Sequence, residues 1–98
     1  MMKNKMAKAS LHIQVRGRVQ GVGFRAFVAQ QANLLNIKGW VRNVGRDQVE
    51  THAEGNQENL ERFLEQVKTG PSVSNVKESE FEWGEFRGEF KNFKVRWF

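Results

Sequence analysis

Gly39-Trp40-Val41-Arg42-Asn43-Val44-Gly45-Arg46-Asp47-Gln48-Val49-Glu50-Thr51-His52-Ala53-Glu54 contains two runs of strand-forming residues around a turn. The first run, Gly39 to Val44, carries Trp40, Val41 and Val44; the second runs from Val49 to Glu54. Gly45, Arg46 and Asp47 supply turn residues between them, so the pair is expected to form a hairpin. This decides the fold. A chain that turns straight back pairs antiparallel neighbours and is not continuing a parallel series through crossover helices.

On the N-terminal side, Leu11, Ile13 and Val15 alternate with His12, Gln14 and Arg16, the pattern of a half-buried strand. Gly17, Gly21 and Gly23 mark a loop, after which Phe24, Phe27, Val28, Ala32 and Leu35 share one helical face, predicting a helix from Phe24 to Leu35. Asn36 tolerates positive φ and suits its end. On the C-terminal side, Asn56 is placed to cap a helix in which Leu60, Phe63, Leu64 and Val67 follow the i, i+3, i+4, i+7 rule, and Gly70-Pro71 closes it. A fourth strand falls within Val73 to Trp83. Phe93, Val95 and Trp97 alternate in a fifth, with Gly84 and Gly88 expected in the turn between the two. The order βαββαβ predicts the α+β, ferredoxin-like sandwich: two helices on one face of a mostly antiparallel sheet, with a C-terminal fifth strand.

With 98 residues there is room for one domain and one core. The expected division is a disordered basic tail over 1–10, containing Lys3, Lys5 and Lys8, and a folded domain over 11–98. Eight Phe and three Trp within a 39% hydrophobic composition are enough to build a core without metal or disulfide support. The absence of Cys excludes a disulfide scaffold, thiolate zinc and a cysteine nucleophile. The N-terminus lacks the apolar run of a secretory signal, and nothing approaches the roughly 20 apolar residues of a membrane span. Cytoplasmic residence without a membrane partner is the expectation. The net charge of +5 favours anionic ligands without choosing among nucleic acid, acidic surfaces and phosphorylated small molecules.

The segment Gly17-Arg18-Val19-Gln20-Gly21-Val22-Gly23-Phe24-Arg25 lies between the first strand and the first helix. A helix start offers N–H groups with no intrahelical acceptor, and preceding glycines let the backbone curl so that more of them converge on an anion. Arg25, in the first turn, adds a planar fork matched to two phosphate oxygens. A cation there opposes the helix dipole, a conflict that a bound dianion reverses. The residues alone leave two readings open: a phosphate cradle, or a tight turn with Arg25 solvated. The loop lacks the Gly-Lys-Ser/Thr of the Walker pattern. Gly21-Val22-Gly23-Phe24-Arg25-Ala26 does match a dinucleotide G-x-G-x-x-A, but that fold needs a larger parallel sheet than this chain provides.

The loop resembles the phosphate loop of the acylphosphatase family, and Gly39-Trp40-Val41-Arg42-Asn43 resembles that family's second signature at similar spacing. The resemblance extends from about Leu11 to the closing Phe93-Lys94-Val95-Arg96-Trp97. It implies cofactor-free, metal-free hydrolysis of a small acyl phosphate to a carboxylate and inorganic phosphate. It places phosphate binding on Arg25 and the backbone N–H groups of Gln20, Gly21, Val22, Gly23, Phe24 and Arg25, and water orientation on Asn43. Ala26-Phe27 and the terminal Trp97-Phe98 stand where relatives often carry Tyr; this chain has none.

Phe24 and Trp40 are expected in the core, and Arg18 and Arg42 as solvated charges. His12 and His52 fall on polar phases of strands expected to neighbour one another, but two His do not complete a metal site. An RNA-recognition module has the same element order, yet Val49-Glu50-Thr51-His52-Ala53-Glu54 offers two carboxylates and no aromatic ring where that module stacks bases. No nucleic-acid partner is therefore expected, and a monomer is the expected working state. An idle regulatory domain is the remaining alternative, disfavoured by the presence of both Arg25 and Asn43.

Overall fold

The hairpin forms as its sequence dictates: β2 (Lys38–Val44) pairs antiparallel with β3 (Gln48–Asn56), Trp40 opposite His52 and Asn43 opposite Val49. The computed structural model describes residues 6–98. The other elements are β1 (Lys8–Arg18), α1 (Phe24–Leu34), α2 (Gln57–Thr69), β4 (Asn75–Glu85) and β5 (Phe93–Arg96). The five strands form one sheet in the order β4-β1-β3-β2-β5, and both helices cover one face. β5 runs parallel to β2 while every other pairing is antiparallel. The α+β, ferredoxin-like expectation is met.

Alternation in β1 places Leu11, Ile13 and Val15 against Phe24, Val28 and Ala32 of α1 and Leu60, Phe63 and Val67 of α2, all buried. Burying each of the larger side chains stabilises the fold by about 1.5–3 kcal/mol. The caps are those expected. Asn56 Oδ1 accepts from Asn59 N at 2.9 Å, a cap worth about 1 kcal/mol. Asn36 takes φ 54° where the chain leaves α1.

Three expectations are corrected. β1 begins at Lys8, because Lys8, Ala9 and Ser10 pair with Asn56, Gly55 and Glu54; this part of the expected tail is strand, and residues 1–5 lie outside the described residues. Gly84 is inside β4, opposite Ser10, where a Cβ would come within 2.8 Å of the Ser10 hydroxyl. Trp40 is not in the core. Its neighbour Val41 takes the helix-facing phase, so the indole lies on the open face, between the guanidinium groups of Arg42 and Arg96 and stacked on His52.

β4 and β5 occupy opposite edges, so residues 86–92 must travel across the sheet. They do so over the face without helices, where backbone N–H groups of Arg87, Gly88 and Glu89 bond the Glu54 carboxylate and the Phe90 ring lies 5.9 Å from that of His52.

Candidate active site

The turn into α1 is built from left-handed backbone: Gly21 has φ 72°, and Gly23, the residue before the helix, has φ 75° and ψ 20°. A side chain at Gly23 would be strained there although a Cβ meets nothing within 4 Å. Conformation, rather than crowding, requires glycine. No side chain among the described residues caps α1, and its first turn contains no acid. Its N-terminal N–H groups keep their affinity for an anion from outside.

Val19, wholly buried, pins the start of the loop into the core. The Gln20 side chain does not face the cleft. Its amide nitrogen donates to the carbonyl oxygens of Gln48 at 2.8 Å, Gly45 at 3.2 Å and Val44 at 3.3 Å, tying the loop to the hairpin that carries Asn43.

Arg25 and Asn43 line one cleft of about 240 Å³, with Val19, Gly23, Phe24, Ala26, Val95 and Trp97. The Arg25 guanidinium carbon lies 4.2 Å from the centre of the Trp97 ring, and Nη1 donates a long 3.4 Å hydrogen bond to the Arg96 carbonyl. Asn43 occupies the helix-facing phase of β2. Its side-chain oxygen is buried and has no hydrogen-bond partner among the described residues. Burying an acceptor that finds no partner costs about 1–3 kcal/mol.

On the open face, away from this cleft, Arg42 is not a free charge: its Nε donates to Glu50 Oε1 at 2.7 Å, while His12 Nε2 lies 2.7 Å from Glu50 Oε2. The register brings the two His together as their phases suggested, with Nδ1 atoms 3.0 Å apart. Two Nδ1–H groups cannot share that contact, so the pair holds one proton between the facing nitrogens. Burial and the charge of His12 lower the His52 pKa despite opposing pulls from Glu54, Glu89 and Glu50. Burial raises the Glu50 pKa, but hydrogen bonds and charge from Arg42 and His12 outweigh it, and the net shift is downward. Folded His52 resists a proton that the unfolded chain accepts, so stability should fall as pH drops through about 6.5, with a second loss from Glu50 below roughly 4.3. Melting temperatures measured across that range should show both declines, and His52→Gln should flatten the first. An unchanged slope would remove His52 from the account.

A family model described as Acylphosphatase matches residues 11–95. The chain belongs to the acylphosphatase family. An acylphosphatase of Thermus thermophilus is 46% identical over 81 residues, covering 83% of this chain and 91% of its own. One from Moorella thermoacetica is 42% identical over 91 residues, covering 93% and 97%. Among solved structures, acylphosphatase from Bacillus subtilis superposes with a TM-score of 0.86 at 36% identity, covering 91% of this chain and 99% of that one. As a member of this family the chain is an acyl-phosphate hydrolase.

Val19, Val95 and Trp97 also line the cleft of this acylphosphatase, and reading by pattern did not single them out. The alternation Phe93, Val95, Trp97 carried the signal for two of them, but a parallel pairing with β2 is needed to bring that strand beside Arg25.

Proposed function

We propose that Arg25 and the backbone N–H groups of Gln20 to Arg25 bind the phosphoryl group of a small acyl phosphate, and that Asn43 orients the attacking water. The carrying observation is that Asn43, its side-chain oxygen buried and without a partner among the described residues, lines the same cleft as Arg25. An acceptor there accepts a hydrogen bond from a water and aims its lone pair, while the amide nitrogen remains available to donate to substrate. The water oxygen forms a bond to phosphorus as the bond from phosphorus to the acyl oxygen breaks. The carboxylate departs with the electron pair, and the water proton passes to the phosphate product. A carboxylate needs no protonation to leave, so the site needs no general acid. Alignment and stabilisation of the equatorial oxygens carry phosphoryl transfer, and N–H donors with a guanidinium supply both.

The roles are filled without a metal, and by one chain, which favours a monomer. Glu50 and Glu54 lie on the open sheet face, already engaged by Arg42 and by the 86–92 connection, which supports the reading without nucleic acid. No helix among the described residues is long and apolar enough to cross a membrane; cytoplasmic residence belongs to the same proposal.

Purified protein incubated with benzoyl phosphate and with p-nitrophenyl phosphate, each with and without chelator, tests it. Hydrolysis of the acyl phosphate, unchanged by chelator and competitively inhibited by inorganic phosphate, is expected. A requirement for a divalent metal, or preference for the ester, would contradict the site.

A further inference from the structure

Glu54 is 3% exposed, yet it sits on the face of β3 opposite the helices. What covers it is the connection from β4 to β5. Glu54 Oε2 accepts from Arg87 N at 2.7 Å and Gly88 N at 3.3 Å, and Oε1 accepts from Glu89 N at 3.1 Å. Consecutive backbone N–H groups converging on one carboxylate form an anion nest, and Gly88 reaches the required shape with φ +67°. Such charge-assisted bonds are the strong kind. The central strand thereby staples the connection midway across the sheet.

The connection then delivers β5. Asn92 accepts from Gly39 N at 3.0 Å, and four residues of β5 follow along the outer edge of β2. At the far end of that short strand come the two groups that hold the guanidinium of Arg25: the Arg96 carbonyl and the Trp97 ring. Four pairings with β2 and the packing of Phe93 and Val95 on the core hold this short edge strand, and the anchoring of its leading end adds to what sets its position along β2.

We propose that Glu54 is a positioning residue for phosphate binding: by clamping residues 87–89 it sets β5, and through β5 the direction of the Arg25 fork. This rests on the reading of Arg25 as the phosphate ligand. Arg25 would hold the phosphoryl group in the ground state and the transition state alike, so loosening it raises KM and leaves kcat nearly unchanged. A merely structural role predicts the opposite split, a smaller active fraction with lower apparent kcat and the parent's KM.

Parent, Glu54→Gln and Gly88→Ala proteins are compared by steady-state kinetics on benzoyl phosphate and by direct titration with inorganic phosphate. Gln presents an amide nitrogen to donors and breaks the nest; Ala at Gly88 strains it from the exposed side while keeping the Glu54 side chain itself, and serves if Glu54→Gln does not fold. A rise of about fivefold or more in both KM and phosphate Kd, with kcat within about twofold, is expected for each folded variant. Folded variants with the parent's KM and phosphate Kd would overturn the proposal, as would loss confined to kcat. A parent that binds phosphate but turns over no acyl phosphate would overturn the proposed function and leave the phosphate Kd to decide on Glu54.

Discussion

Arg25→Ala should lower kcat/KM by a factor of about 10²–10³, equivalent to about 2.7–4 kcal/mol of phosphoryl binding felt in ground state and transition state together, taking the loss of one oxyanion donor as the scale. The loss combines charge and geometry, and Arg25→Lys separates them. An ammonium restores the charge but not the planar fork that lies over the Trp97 ring. Lys should therefore rescue poorly. A kcat/KM near the parent's in Arg25→Lys would show that bidentate geometry is unimportant. The side chain is only partly buried and its recorded partners are a ring and a long hydrogen bond, so neither change should threaten folding.

Asn43→Asp should be as damaging at neutral pH and differently instructive. It keeps the size and the acceptor for water, but replaces an amide donor with a negative charge beside an anionic substrate. At an effective dielectric of about 20, unit charges about 4 Å apart repel by roughly 4 kcal/mol, about a thousandfold in rate. That outweighs any gain from a stronger base. Acidification should restore part of the activity by protonating the new carboxylate, whereas the parent should show no matching recovery because Asn43 does not titrate. Far-UV circular dichroism and thermal melting establish that the variant is folded. A folded Asn43→Asp protein with parental turnover at pH 7 would move the water-orienting role to another residue.

Local order explains what was legible in the sequence. The hairpin around Gly45, the Asn56 cap, the positive φ at Asn36 and the helical face of Leu60, Phe63, Leu64 and Val67 all arise from residues a few positions apart, and all form as expected. The two signatures also meet in space, since Arg25 and Asn43 share a cleft. What was not legible depends on contacts between distant segments. Alternation along β2 does not say which phase faces the helices, so Trp40 was assigned to the core when Val41 takes that side. Glu54 reads as a solvent-facing residue until a connection more than thirty positions later crosses above it. Trp97 enters the cleft only because the last strand joins β2 in parallel, a choice no short window contains.

That last pairing also has a kinetic consequence. The sheet joins Ala9 to Glu85 and Gly39 to Phe93, contacts between segments far apart in the chain, so large loops must close before these pairings return any free energy. Helices and the central hairpin can form early, but the cleft lacks one wall until β5 docks. During refolding from denaturant, recovery of far-UV ellipticity should therefore precede recovery of turnover, and turnover should be the later clock of the two.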